Sequence, residues 1–247
     1  MRMRILCHFT AVALLALSLK GCVYLRLLEV KSHLSQFEKY FHLENKESLH
    51  LIFLKPILLR EDILHLAKGG PTTIQESSEG AVWHYLFQKR PHGENYGQSE
   101  FDVPVDLFFV GERLNKITFP KKFIENLPRQ FIIDSFRAIG QGEVRKEALH
   151  VSGSLARNKK GDEFPIPNKT NFLILLGSPT EEKSSPEASV WQYTYILKPG
   201  KPELGVEPPE AWAQFDFNPR SNQLTKANAT FAGIQVSMTF ENLTDRE

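Results

Sequence analysis

The sequence predicts an α+β fold of two tandem units, each a short helix plus an antiparallel β-meander, preceded by an N-terminal amphipathic helix. Three observations predict it. The stretch Gly69 to Phe87 recurs as Gly177 to Tyr195, an offset of 108 residues. Each copy passes from a glycine–proline helix stop into alternating strands. Ahead of both copies, apolar residues recur at the spacing of one helix face.

Length and composition bound the reading. The 247 residues (28.2 kDa) suffice for one large domain or two small ones. Thirty basic against 29 acidic residues leave a net charge of +1, which disfavours a nucleic-acid binder working by phosphate neutralisation. Hydrophobic residues at 41% and charged residues at 24% are globular values. Two cysteines exclude a disulfide-rich scaffold and a Cys-based structural zinc site.

Residues 1–21 read as an export signal. Arg2 and Arg4 precede an apolar run from Ile5 to Leu19, the length of a signal core and short for a membrane span. The run ends in Leu19-Lys20-Gly21-Cys22, which resembles the lipobox of bacterial lipoproteins; Lys20 stands where a small uncharged residue is usual. The resemblance implies cleavage before Cys22 and lipidation of that residue. A secretory signal cut elsewhere and an uncleaved short anchor are the alternatives. Removal of the 21 residues before Cys22 leaves 226 of the 247, without Cys7 and with Cys22 consumed by lipid. A chain with no free thiol suits an oxidising compartment. Val23, where the family's retention rule looks for Asp, implies an outer-membrane lipoprotein facing the periplasm.

Residues 22–47 read as a lipid-anchored amphipathic helix. Val23, Leu27, Val30, Leu34, Phe37 and Phe41 are spaced by fours and threes, predicting a helix from Val23 to Leu43. Three heptads are marginal for an autonomous coiled coil, so the stripe is expected to lie on its own protein or on the bilayer surface.

Residues 48–145 and 146–247 read as the two units. Eight of 19 positions are identical between Gly69–Phe87 and Gly177–Tyr195, where average composition gives about one. Helices are expected over Arg60–Lys68 and Lys169–Leu176, stopped by Gly69 and Gly177 and barred from continuing by Pro71 and Pro179. Polar loops, Thr72–Gly80 and Thr180–Ser189, lead to the strands Val82–Lys89 and Val190–Lys198. Trp83, Tyr85 and Phe87 then share one sheet face. Second strands cover Val103–Val110 and Ala213–Phe217, with the offset becoming 110 so that Val105-Asp106-Leu107 matches Phe215-Asp216-Phe217. Third strands cover Leu114–Phe119 and Leu224–Phe231. Ile234–Phe240 adds a fourth strand, and Leu49–Leu54 an edge. Between the units, Pro120 to Gly140 has helical spacing interrupted by Pro128. The polar stretch Arg157–Lys169 reads as a linker, and Glu143–Leu155 carries no clear period.

The repeat is similar to the BamE/SmpA-type lipoproteins of outer-membrane β-barrel assembly, and to the tandem units of β-lactamase inhibitor proteins. Leu175-Leu176-Gly177-Ser178-Pro179, Val190-Trp191-Gln192-Tyr193-Thr194-Tyr195 and Phe215-Asp216-Phe217 carry the resemblance. Leu66-Ala67-Lys68-Gly69-Gly70-Pro71 and Trp83-His84-Tyr85 form a weaker copy. The motifs are structural, and no family binding residues transfer through them.

Catalytic signatures are missing from the sequence. It holds no His-Glu-x-x-His, Gly-x-Ser-x-Gly, phosphate loop or dinucleotide fingerprint. His33, His42, His50, His65, His84, His92 and His150 are scattered and are expected to be core or surface residues, with no metal and no cofactor. Glu61-Asp62 and Glu181-Glu182 are expected to complement helix dipoles or face solvent. Trp83 and Trp191 are expected in packing and not on a ligand. The expected function is a non-catalytic, lipid-anchored envelope protein, attached to the membrane through Cys22 and presenting aromatic-rich sheet faces to an envelope protein partner. The alternative is a periplasmic carrier or binder of a small apolar or glycan ligand.

Overall fold

The computed structural model describes residues 23–45, 47–90, 99–145, 149–157, 166–201, 207–231 and 234–242. Helices are α1 (Val23–Leu34), α2 (Phe37–Tyr40), α3 (Arg60–Ala67), α4 (Lys122–Asn126), α5 (Arg129–Gln141) and α6 (Lys169–Leu176). The strands of the first half are β1 (Phe41–Asn45), β2 (Leu49–Phe53), β3 (Thr73–Ser77), β4 (Gly80–Lys89), β5 (Val103–Val110) and β6 (Arg113–Phe119). Those of the second half are β7 (Glu143–Arg145), β8 (His150–Arg157), β9 (Glu181–Ser184), β10 (Ser189–Leu197), β11 (Glu210–Phe217), β12 (Leu224–Phe231) and β13 (Ile234–Asn242).

The expected α+β class is overturned. Strand accounts for 47% of the structure and helix for 28%, and all thirteen strands belong to one mixed sheet instead of two separate helix-plus-meander units. The strand order is β1-β2-β6-β5-β4-β10-β11-β12-β13-β8-β7, with β3 and β9 added as short arms on β4 and β10. The physical reason is edge pairing. An isolated meander exposes a row of unpaired backbone groups, and joining two meanders through β4 and β10 removes one edge from each. Phe87, Gln88 and Lys89 pair antiparallel with Leu197, Ile196 and Tyr195. Parallel pairing of β13 with β8 makes the sheet mixed.

The sequence repeat survives inside this sheet as strand register. Trp83 faces Leu107 and Trp191 faces Phe215; Ala81 faces Phe109 and Ser189 faces Phe217. The 108 offset therefore holds through β5 and β11, and Leu107, not Val105, is the counterpart of Phe215, the residue facing Trp191. The two extra residues lie in the following turn, between Phe217 and Leu224, and not before the strand as the Asp106–Asp216 match suggested. Even the bulge repeats, between Phe108 and Phe109 and between Asp216 and Phe217.

Three further expectations change. The N-terminal helix stops at Leu34, and Phe41 and Leu43 are buried on β1 instead of a helix. Their alternation fits a strand, and the 4-3-4 spacing continued past the true end by coincidence. The polar loops hold β3 and β9, every residue of which is exposed. The helix stop before Gly69 is Lys68, which takes the left-handed conformation itself (φ 50°).

One sheet face carries the core. Trp83, Tyr85, Leu107, Phe109 and Leu114 form one buried cluster, against which Leu27, Val30 and Leu34 of α1, Ile63 of α3 and Phe136 of α5 pack. Trp191, Tyr193, Tyr195, Phe217 and Leu224 form a second, with Phe131 and Ala138 of α5 and Phe172 and Leu175 of α6. Leu197, on β10, belongs to the first cluster, so the two cores interlock at the junction.

Candidate functional site

Side chains alternate across a strand, so burying the odd-numbered residues of β4 and β10 turns the even-numbered ones to the opposite face. Ile52, Val82, Leu86, Phe108, Ile196 and Trp212 lie on that face and belong to neither core cluster. Trp83 and Trp191 lie in packing as expected, both 5% exposed, and Tyr193 beside Trp191 on β10 is wholly buried, so these aromatics are turned inward and not toward a partner. An amphipathic strand shows which residues share a face, and the burial of both indoles shows which face is covered.

Polar rows cross this half-buried face. His50, Thr118, Asp106 and His84 are successive cross-strand neighbours on β2, β6, β5 and β4. His50 Nδ1 lies 2.9 Å from Thr118 Oγ1, and His84 Nδ1 lies 2.7 Å from Asp106 Oδ1. In the second half, Gln192, Gln214, Asn228, Ser237 and Ser152 form the corresponding row. There Ser237 Oγ donates to Asn228 Oδ1 at 2.8 Å and His150 Nε2 lies 2.9 Å from Ser237 Oγ. Trp212 stands beside this row, between Thr194 and Thr230.

His84 and Asp106 form a His–carboxylate contact of the kind a hydrolase uses, but its geometry does not extend to a reacting group. The far nitrogen, His84 Nε2, is buried without a hydrogen-bond partner, so among the described residues no nucleophile is hydrogen-bonded to it. Among the described residues no three His, Cys, Asp or Glu side chains come together as a metal site requires.

The remaining histidines are dispersed. His33 is buried and stacks on Tyr40 with centroids 3.7 Å apart; burial, with Lys55 nearby, holds its pKa below the usual range. His42 lies 3.8 Å from Glu44 on β1, and His65 lies on α3. His92 and Cys22 lie outside the described residues. Of the paired carboxylates, Glu181 and Glu182 are exposed on β9. Asp62 is 1% exposed and accepts from Leu59 N at 2.8 Å and from Arg26 Nε at 2.6 Å. It caps α3 and ties α1 to it. Arg26 sits off the apolar stripe, where sequence reasoning places solvent-facing residues; the position of its partner 36 residues away has no local signal.

The two tryptophans carry matching surroundings. Trp83 packs on Phe109 (4.7 Å) with the Arg60 guanidinium 6.0 Å above it, and Trp191 on Phe217 (5.1 Å) with Lys169 Nζ at 4.9 Å. Both cations sit at the start of the repeat helices α3 and α6, and both indoles are held as core.

Lys89, at the junction, breaks the symmetry: its repeat counterpart is Leu197. Its ammonium donates to Leu176 O at 2.5 Å and to Ser178 O, closing the C-terminal end of α6. It also lies 5.1 Å from the Phe101 ring and 5.2 Å from the Tyr193 ring. Burial pushes its pKa down to about 8, and Lys122 adds to the shift. Burial likewise pushes the phenols of Tyr85, Tyr193 and Tyr195 up.

No helix among the described residues is long and apolar enough to cross a membrane. Compared with protein-family models, curated proteins and solved structures, the chain shows no significant match.

Proposed function

We propose that this chain is a non-catalytic cell-envelope protein that is anchored by lipid on Cys22, faces the periplasm from the outer membrane, and docks a protein partner. The observation that carries the docking role is the sheet face turned away from both core clusters. Its apolar side chains, Phe108, Leu86, Ile196 and Trp212, are interleaved with amide, hydroxyl and imidazole groups across both halves of the sheet. Interfaces combine aromatic and aliphatic contacts with a polar surround of this kind. The buried Nε2 of His84 favours binding over hydrolysis. The anchor rests on Leu19-Lys20-Gly21-Cys22 behind the apolar run.

Intact mass and membrane fractionation of the native protein beside a Cys22→Ala variant test the anchor. The expected result is a mature chain beginning at an acylated Cys22 and released from membranes by the substitution. Photo-cross-linking from position 212 in intact cells tests the docking role. A discrete cross-linked protein product that disappears with Phe108→Asp supports it; a chain that cross-links to no protein overturns it.

A further inference from the structure

An apolar groove of about 160 Å³ runs beside α1. Tyr24 and Leu28 of α1, Ile139 of α5, Val144 of β7, and Leu149 and Val151 line it. Tyr24 and Leu28 are not on the stripe that packs into the core: they make a second apolar line on α1, one helical turn apart. Lys31, further along the groove, sends its ammonium to Gly140 O at 2.8 Å, so only its aliphatic stem borders the space.

We propose that this groove seats the first methylenes of an acyl chain attached to Cys22, an inference that rests on the lipidation proposed above. Three features select this occupant. Cys22 is peptide-bonded to Val23, so its Cα lies about 3.8 Å from that of the first residue of α1. Tyr24, the next residue, is already groove wall. The volume is close to that of apolar cavities that hold one benzene-sized ligand. That is too small for the packed face of a partner helix and suited to a few methylenes, leaving the rest of the chain for the bilayer. Finally, Tyr24 Oη is buried without a hydrogen-bond partner. The ester or amide carbonyl at the head of an acyl chain is an acceptor for that hydroxyl. The groove then fixes the angle at which the sheet stands from the membrane, instead of leaving the body on a loose tether.

The test uses thiol reactivity in the full-length chain carrying Cys7→Ser, reconstituted in phosphatidylethanolamine–phosphatidylglycerol vesicles. A reporter is placed at Leu149→Cys, in the groove lining and 41% exposed. A second reporter, Leu25→Cys, is 46% exposed on α1 and outside the groove, so it reads shielding by the bilayer alone. Each is compared with the same chain carrying Cys22→Ser. A groove filled nine-tenths of the time slows maleimide labelling at position 149 roughly tenfold in the acylated chain while position 25 reacts unchanged. Equal slowing at both positions means the bilayer covers this end of the molecule and overturns the proposal. No slowing at position 149 in a chain whose mass shows acylated Cys22 overturns the proposal alone. An unmodified Cys22 overturns the lipidation reading and this proposal with it.

Discussion

Gln88 and Ile196 face each other across the β4–β10 junction, 108 residues apart, the same separation that relates Trp83 to Trp191. A position paired with its own repeat counterpart marks a local two-fold relationship. The flanking hydrogen bonds obey it: Arg90 N donates to Thr194 O at 2.8 Å and Lys198 N to Leu86 O at 2.9 Å. Away from the junction, Thr72 N donates to His84 O and Thr180 N to Gln192 O, both at 2.7 Å. The repeat is thus arranged as two meanders meeting edge to edge, as an isologous dimer would meet, within one chain.

That arrangement predicts a single unfolding transition. The sheet crosses the junction without a break, and Leu197 of β10 is 1% exposed inside the first core. Variants retaining Trp83 alone or Trp191 alone are expected to report the same urea midpoint by fluorescence. Leu197→Ala should lower both midpoints together, at a cost of roughly 2–5 kcal/mol. Separate midpoints for the two tryptophans would show that the halves fold independently.

Asp62 predicts an asymmetric penalty. Its carboxylate is buried, holds the Leu59 amide and receives Arg26, whose own side chain is 13% exposed. Asp62→Ala or Arg26→Met alone should each cost about 2–4 kcal/mol, since each leaves a charge or an amide without its partner. The double variant should cost less than the two single costs together, because the stranded charge is removed as well. Thermal denaturation of the four chains at one pH measures this; strict additivity would mean the contact contributes nothing.

Gly140 predicts a steric failure at the helix pair. A Cβ built there meets Ser35 N at 2.1 Å and Leu34 C at 2.5 Å, both backbone atoms that cannot rotate aside. Gly140→Ala is therefore expected to destabilise by about 1–3 kcal/mol or more, despite the higher helix propensity of alanine. Amide hydrogen exchange should show faster opening over residues 23–34 than over β4 or β10. Uniform acceleration across the chain would count against a local displacement of α1.

What the sequence disclosed follows from which contacts leave a local trace. The bounds of α6 and β12 are as expected because a glycine stop and an alternating strand are written in neighbouring residues. β3 and β9 left no trace, since an arm exposed along its whole length needs no apolar alternation. β7 and β8 were not legible because β8 takes its place by parallel pairing with β13 some 85 residues later, so its Ser, Gly and His content is set by a distant strand. The joining of the two units was equally hidden: Gln88 and Ile196 carry no signal of their own that they face each other. Among site features, Trp83 and Trp191 are legible as packing residues, but Trp212, on the face away from the cores, stands where the first copy has Pro104, so the repeat does not mark it. Lys89 could have been found as the polar residue standing where the second copy has Leu197.

Lys89 also sets the last prediction, on pH. Its folded-state pKa, about 8, lies below the ordinary lysine value near 10.5, so burial disfavours the charged form. Below about pH 8 both folded and unfolded chains hold the proton, and the folded state carries the full desolvation penalty. Between about pH 8 and pH 10.5 the folded chain releases the proton while the unfolded chain keeps it, so stability rises with pH through that window. The side chain is partly exposed and its ammonium is held by two carbonyls, so the gain is discounted to about 1–2 kcal/mol. Urea midpoints measured from pH 7 to pH 10 should therefore show a rising contribution in the native chain that Lys89→Met lacks. An identical pH profile in the two proteins would mean the carbonyls of Leu176 and Ser178 hold the lysine charged across the whole range.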